Sequence, residues 1–297
     1  MSDSSRGRTE NVARPQETAA RNAVEPRFLD IGPVTLATED TGGGQPIALA
    51  HGLTATRRYV VHGSRLLERN GYRMLSYDAR GHGESSPAPD PSEYRYVDLV
   101  ADLRGLLDEL GVERAVLAGS SMGAATTLAF TLEHPDRVAA LVQITPAYDG
   151  TLDPERVRSM EALADALERD GVKGFLRAYG DPPIEARFKG VVEQAIRQRL
   201  ERHRHLEAVA AALRIVPRSQ PFEGIEALER VAVPTLVVGS RDEVDPDHPY
   251  EVAKLYAARI PDAELISEEP GESPLAWRGA RLSAAIADFL ERRGLRP

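Results

Sequence analysis

Short apolar runs alternate with amphipathic segments of helical length along most of the chain. Near the start, "RFLDIG" and "VTLATED" predict two short antiparallel strands joined by a turn. "IALAHG" is an apolar run that ends in glycine, as expected for a buried parallel strand, and similar runs recur in "YRMLSYDARG", "RAVLAGSS", "VAALVQI", "PTLVVGS" and "AELISE". This strand-then-helix order predicts an α/β protein with a mostly parallel central sheet and helices on both faces.

Helical spacing of apolar residues places helices between these strands. We expect helices over residues 59–70, 94–110, 250–260 and 277–292. Gly111 follows the second of these segments directly, and a glycine at that position commonly ends a helix.

The strand signals vanish over residues 150–221, which are helical in pattern and rich in Arg, Glu and Ala. We predict that this segment is a helical cap (lid) inserted into an α/β core formed by residues 26–149 and 222–297. The cap should lie over the carboxyl ends of the strands, where open α/β sheets bind ligands. Residues 1–25 are polar and predict a disordered N-terminal tail.

Composition narrows the possible functions. The formal charge of −9 over 297 residues argues against a nucleic-acid partner, because phosphate binding needs a basic surface. The chain has no cysteine, which excludes disulfides, thiolate zinc sites and cysteine nucleophiles. The first 25 residues lack the apolar core of a secretory signal, and no apolar run reaches the ~20 residues of a membrane helix. We therefore expect a cytoplasmic protein with a small-molecule substrate or ligand, no cofactor and no membrane partner.

The strongest chemical motif is "GSSMG", in which Ser121 occupies the centre of a G-x-S-x-G pattern. It follows the apolar run "AVLA" and precedes a helical segment, which is the context in which this pattern marks a nucleophile on a sharp strand-to-helix turn. Such a turn raises the serine hydroxyl above the sheet and turns the N–H of Met122 toward a developing oxyanion.

With these residues, the chain resembles the α/β-hydrolase superfamily from Arg27 to its C-terminus. "AHGLTA" resembles the family's oxyanion loop, which implies that the Leu53 N–H is the second oxyanion donor beside Met122. "YDARGHGESS" resembles the loop that Asp78 and Arg80 hold in shape in related proteins. The family's G-x-x-D pattern in "VVGSRDEVDP" implies Asp242 as the triad acid.

The sequence leaves two members of the catalytic triad undecided, the acid and the base. Asp245 is the alternative to Asp242 as the acid. Where the family's catalytic histidine is expected, in "PGESPLAW", the chain has Glu272. A carboxylate with an ordinary pKa of about 4.3 is a weak base for an alcohol at neutral pH. His248 lies six residues after Asp242 and is the candidate alternative base, if its loop curls toward Ser121.

Three functions follow from these observations. The first is a serine hydrolase acting on a small ester, lactone or thioester, with acyl transfer possible. Dehalogenases and epoxide hydrolases of this fold use an aspartate at the position of Ser121, which argues against them. The second is a ligand-binding relative that lost its catalytic histidine. The third is a divalent-cation site, which rests only on the number of nearby carboxylates. An acidic loop and one later glutamate supply them: Asp242, Glu243, Asp245, Asp247 and Glu272.

The arginines of the cap also allow two interpretations. In "IRQRLERHRHLE", arginines alternate with glutamates, which favours a surface helix with intrahelical ion pairs. The alternative is a basic patch that draws an anionic substrate toward the pocket. The arginines concerned are Arg197, Arg199, Arg202 and Arg204.

Overall fold

A computed structural model of the chain describes residues 25–241 and 245–297. The predicted tail, residues 1–25, lies outside the described residues except for its last position. Asp242, the predicted triad acid, also lies outside them.

In the described residues, eight strands form a single sheet, and they match the apolar runs of the sequence. They are β1 (Arg27–Ile31), β2 (Val34–Thr41), β3 (Pro46–Ala50), β4 (Arg73–Tyr77), β5 (Ala115–Ser120), β6 (Val138–Ile144), β7 (Thr235–Val238) and β8 (Ala263–Ile266). Their order in the sheet is β1-β2-β4-β3-β5-β6-β7-β8. β1 and β2 pair antiparallel, as does β2 with β4, and the remaining pairs are parallel. The predicted α/β fold with a mostly parallel sheet is confirmed.

The helices are α1 (Leu66–Arg69), α2 (Tyr96–Glu109), α3 (Met122–Glu133), α4 (Pro154–Tyr179), α5 (Ala186–Leu200), α6 (Leu206–Ile215), α7 (Tyr250–Arg259) and α8 (Gly279–Arg292). The long helix predicted over residues 59–70 does not form. A single 3-10 turn, Arg57–Tyr59, and the four-residue α1 occupy that region. Gly63 lies between them at φ 71, a left-handed conformation that interrupts a helix. None of the helices in the two described ranges is both long and apolar enough to cross a bilayer.

The central strands are buried on both faces of the sheet. In β5, Val116 and Ala118 pack into the apolar cluster on the α8 side. Ala115 and Leu117 pack into the cluster that α2 and α3 cover. Successive side chains of a strand point to opposite faces, so a strand covered on both faces needs a continuous apolar run. This is the reason for the unbroken "AVLA" that precedes Ser121.

Helices α4, α5 and α6 come between β6 and β7 in the chain, and we call residues 154–215 the helical insertion. The insertion has an apolar cluster of its own, formed by residues of all three helices: Leu163, Ala164, Leu167, Phe175, Ile196, Leu200, Val209, Ala210 and Leu213. Gly171, at φ 62, kinks α4 in its middle. The insertion is therefore a packed helical unit and not an extended surface loop.

Candidate active site

Ser121 lies on a strained turn between β5 and α3. Its backbone has φ 53 and ψ −111, a conformation that L-residues rarely adopt and that costs on the order of 1–3 kcal/mol. The turn is possible because both neighbouring motif glycines lack a Cβ. A Cβ on Gly119 would lie 2.1 Å from the carbonyl oxygen of Gly123, and one on Gly123 would lie 2.0 Å from that of Ala50. The geometry is that of the nucleophile elbow expected from "GSSMG".

An imidazole contacts the hydroxyl of Ser121. His248 Nε2 lies 2.8 Å from Ser121 Oγ. The other ring nitrogen, Nδ1, lies 2.7 Å from Asp245 Oδ1. An ionised carboxylate can only accept, so Nδ1 carries the proton and Nε2 offers its lone pair to the serine O–H. Serine, histidine and aspartate thus form a continuous chain of hydrogen bonds.

The sequence "DPDHP" explains how Asp245 and His248 come together. Pro246 follows Asp245 in the position where proline favours a tight turn. The N–H of His248 donates to the carbonyl of Asp245 over 3.2 Å, which closes the turn. The first and fourth side chains then lie side by side, and α7 begins two residues later, at Tyr250.

The carboxylate that contacts His248 in the described residues is Asp245, the alternative acid of the sequence analysis. Asp242, implied by resemblance, is not among the described residues. Glu268 shapes the same loop from outside the triad. Its carboxylate is buried and accepts from the N–H of Arg241 over 2.6 Å and from that of Leu275 over 3.2 Å. Glu268 thus ties the segment before Asp245 to the segment after β8. It lies in no motif recognised in the sequence.

Glu272, placed by sequence at the position of the family's histidine, has arginine partners instead. Its Oε2 accepts from Arg281 Nη1 over 3.2 Å and lies 4.0 Å from Arg278 Nη1. The hydrogen bond from Arg281 lowers the pKa of the Glu272 carboxyl. Its side chain is 37% exposed, and among the described residues it forms no hydrogen bond to Ser121 or Asp245. An ionised surface glutamate beside two arginines is a weaker base than an ordinary one, which makes it poorly suited to activate Ser121.

The two residues expected to supply oxyanion donors, Leu53 and Met122, lie beside Ser121. Met122 begins α3, and the first N–H groups of a helix have no partner within it. Leu53 follows Gly52, whose backbone lies close to Ser121, since a Cβ added to Gly52 would lie 3.3 Å from Ser121 Cβ. Both residues line the cavity that contains Ser121. Their positions follow from the sheet order, since β3 is hydrogen-bonded to β5 and both loops leave the same edge.

The loop after β4 is fixed by buried charges. Asp78 is fully buried and accepts from the Arg57 backbone N–H over 2.7 Å, from the Arg57 guanidinium and from the Glu84 N–H over 3.0 Å. Arg80 is paired with Asp102 of α2 through two hydrogen bonds of 2.7 Å. The structural role that the resemblance implied for Asp78 and Arg80 agrees with these contacts.

Three buried histidines, His51 of "AHGLTA", His82 and His203, form a cluster. His51 accepts from the Ala79 N–H over 2.9 Å, and His203 accepts from the Gly83 N–H over 2.7 Å. The other ring nitrogen of His203 lies 2.9 Å from the carbonyl of Thr54, to which it donates. His82 packs between them, with ring centroids 5.1 Å from His51 and 5.5 Å from His203. Burial lowers the pKa of each ring, so all three are neutral at pH 7.

A cavity of about 580 Å³ opens over Ser121 between the sheet edge and the helical insertion. Ser121, His248 and Trp277 line it from the core, and Phe175 and Arg199 line it from the insertion. The volume suits a small organic molecule. In residues 25–241 and 245–297, no three His, Asp or Glu side chains cluster as metal ligands.

Comparison with known proteins assigns the chain to a family. Residues 45–277 match the alpha/beta hydrolase fold family. The chain belongs to this family. It is 30% identical over 273 residues to a 2-hydroxy-6-oxononadienedioate/2-hydroxy-6-oxononatrienedioate hydrolase of Burkholderia vietnamiensis, covering 85% of this chain and 90% of that one. It is 28% identical over 166 residues to epoxide hydrolase 3 of Siraitia grosvenorii, where the match spans only 48% of the relative.

Solved structures share the architecture of this α/β hydrolase. The thermophilic esterase from Thermogutta terrifontis, with malate bound, superposes with a TM-score of 0.73 at 27% identity, covering 92% of this chain and 99% of that one. The enol-lactonase from Burkholderia xenovorans LB400 superposes with a TM-score of 0.73 at 22% identity, covering 89% and 100% respectively. At 22% identity the second likeness shows the fold.

Proposed function

We propose that the chain is a serine hydrolase that cleaves a small carboxylic ester, lactone or thioester through an acyl-Ser121 intermediate. One observation carries the proposal, which is the 2.8 Å contact between His248 Nε2 and Ser121 Oγ. His248 is the base in this proposal, Asp245 is the acid, and Glu272 has no part in the reaction. Acyl transfer to an acceptor other than water uses the same first step and stays possible.

In the first step, His248 Nε2 takes the proton of Ser121 as its oxygen attacks the substrate carbonyl. The N–H groups of Leu53 and Met122 stabilise the oxyanion, and the removal of one such donor typically costs about 3–4 kcal/mol of barrier. The protonated imidazole, held by Asp245, then gives its proton to the leaving alcohol or thiol. Water attacks the acyl-enzyme by the same sequence, with His248 as base again, and releases the acid and free Ser121.

The relatives support hydrolysis. The Burkholderia vietnamiensis relative and the Thermogutta terrifontis neighbour are named a hydrolase and an esterase. Epoxide hydrolases also occur among the relatives, but a serine stands at the elbow of this chain where those enzymes use an aspartate.

The alternative, a ligand-binding relative without a catalytic base, rested on the glutamate at position 272. The contact of His248 with Ser121 and Asp245 favours the enzyme, because it gives the serine an imidazole from another loop. We also propose that residues 150–221 act as a cap over the reaction. Side chains of α4 and α5 line the same cavity as Ser121 and would shield the acyl-enzyme from bulk water.

Intact mass after incubation with a fluorophosphonate tests the triad. Wild type should gain one adduct, and Ser121→Ala should gain none. His248→Ala should label at least about 100-fold more slowly, because the serine loses its base. Glu272→Gln should label at the rate of wild type. If Glu272→Gln stops labelling while His248→Ala does not, the base is Glu272 and the proposal is wrong. If the wild-type protein is not labelled, Ser121 is not activated, and the ligand-binding alternative replaces the hydrolase.

A further inference from the structure

Arg199 stands out in the wall of the cavity. It lies in the last turn of α5 and lines the cavity that contains Ser121. Its Nε is buried without a hydrogen-bond partner, while the side chain as a whole is partly exposed, and no ion pair of the guanidinium is found among the described residues. Burial lowers the pKa of Arg199, but an arginine stays charged at neutral pH. A buried N–H without an acceptor, on a cation that lines a cavity, is unfavourable for a folded protein unless a further group pairs with that cation.

The carboxylates around the cavity already have other donors. Asp245 accepts from His248 over 2.7 Å. Asp153 accepts from the Glu155 N–H over 2.8 Å, as the N-cap of α4. Asp149 accepts from Thr151, through its N–H at 3.0 Å and its hydroxyl at 2.8 Å. Asp247 has the hydroxyl of Tyr179 at 3.4 Å. Asp245 and Asp247 act on Arg199 through space only.

Other arginines of the insertion are different in this respect. Arg197, two residues earlier in α5, bonds Glu193 over 3.0 Å on the surface. Arg156, which also lines the cavity, donates to the carbonyl of Asp247 over 3.1 Å. The terminal groups Nη1 and Nη2 of Arg199, which have no hydrogen-bond partner among the described residues, are thus available to a group that enters the cavity. A carboxylate fits them best, because its two oxygens match the planar fork of a guanidinium.

We propose that Arg199 binds a carboxylate carried by the substrate, so that the ester hydrolysed at Ser121 belongs to an anionic half-ester or related acid. This inference rests on the proposed function at Ser121 for its reaction, and on Arg199 for its selectivity. The cation lies on the insertion and the nucleophile on the core, so a substrate held at both ends would span the cavity between them. Arg199 is then a specificity-determining residue that touches the substrate away from the bond that breaks.

Substrate pairs of equal chain length test this role. The methyl half-esters of succinic, glutaric and adipic acids are compared with the methyl esters of butyric, valeric and hexanoic acids, with acid release followed in a pH-stat. Wild type should favour the best half-ester by about 10-fold or more in kcat/KM, as one charge-assisted pair is worth about 1.5–3 kcal/mol. Arg199→Met should lose about 10- to 100-fold on that half-ester, chiefly through KM, and change less than about 3-fold on its neutral partner.

Arg197→Met is the matched control, because it removes a cation from the same helix outside the cavity. It should leave the selectivity of wild type unchanged. The inference is overturned if wild type hydrolyses both series equally, or if Arg199→Met slows both equally, since the arginine would then support the fold or the triad. In either case the proposed hydrolase still stands, because esters are being cleaved.

A binding measurement keeps the inference testable if no ester is cleaved. The thermal midpoint of the Ser121→Ala variant is followed with increasing glutarate or adipate, with and without Arg199→Met. Glutarate or adipate should raise the midpoint only when Arg199 is present. Equal shifts in both variants, or no shift in either, would overturn the inference, and a failed fluorophosphonate reaction would separately overturn the hydrolase.

Discussion

At the scale of single residues, the site depends on one turn of four residues that joins an acid to a base. Asp245 and His248 are three positions apart, and the turn that contains Pro246 sets their side chains in contact. This arrangement differs from the family pattern, in which the histidine follows the last strand of the sheet. The proposed acid and base therefore lie together in one short segment directly before α7.

The prediction at this scale concerns which aspartate is the acid. Asp245→Asn should lower kcat by about 10³- to 10⁴-fold with little effect on the fold, because an amide cannot hold His248 in the required tautomer or stabilise its protonated form. Asp242→Asn should cost less than about 10-fold. Steady-state kinetics on a 4-nitrophenyl ester, with circular dichroism to check folding, would measure both. A large loss in Asp242→Asn and a small one in Asp245→Asn would reverse the assignment of the acid.

At the scale of elements, buried ion pairs hold the loops at the carboxyl edge of the sheet. Arg80 in the loop after β4 is 3% exposed and Asp102 of α2 is 2% exposed, and they are joined by two hydrogen bonds. Arg80 also donates to the carbonyl of Glu93 over 2.8 Å. These contacts connect the loop under the oxyanion hole to the helix that covers the sheet. They matter for folding because neither charge has access to water.

Removal of one partner tests this connection. Arg80→Met should reduce the free energy of unfolding by about 3–5 kcal/mol, because Asp102 is left buried without its cation. Arg65→Met, which breaks the exposed pair with Glu68, should change it by less than about 1 kcal/mol. Urea denaturation monitored by tryptophan fluorescence and circular dichroism gives both values. A loss below about 1 kcal/mol in Arg80→Met would show that the buried pair is not needed for stability.

At the scale of the whole molecule, neutral histidines connect the helical insertion to the core. His203 lies between α5 and α6 and bridges the Gly83 N–H and the Thr54 carbonyl, which belong to two different core loops. Burial lowers the pKa of His203 to about 4. Burial, followed by the neighbouring His51 and His203, also holds the pKa of His82 well below its ordinary value. Protonation of His203 Nδ1 would remove the acceptor that Gly83 uses.

The stability of the molecule should therefore depend on pH. Between about pH 6.5 and 4 the unfolded chain binds a proton at residue 203 that the folded protein does not bind, so the free energy of unfolding falls as the pH falls. By pH 5 this one group should cost on the order of 2 kcal/mol relative to pH 7.5. His203→Gln should show a loss smaller by about that amount in urea denaturation at the two pH values. Equal losses in the two proteins would rule out His203 as the source.

Sequence patterns predicted much of the sheet and its main helices because burial on both faces requires continuous apolar runs, and those are visible in a single chain. They failed at residues 59–70, where apolar spacing predicted a helix but Gly63 interrupts it. "GSSMG" placed Ser121 on its turn because a Cβ on Gly119 would meet Gly123 within the motif itself, whereas Gly123 is required by its contact with Ala50 of the neighbouring strand.

The sequence by itself determined the fold class, the strained serine and the lack of a histidine at position 272. Only the tertiary structure decided which imidazole approaches Ser121, because His248 is 127 positions away in the chain and no local pattern records that distance. Only the tertiary structure also distinguishes Arg199, because in the sequence it is one of several arginines in an amphipathic helical segment. Its place in the wall of the cavity follows from the packing of the insertion on the core, a property of the whole molecule.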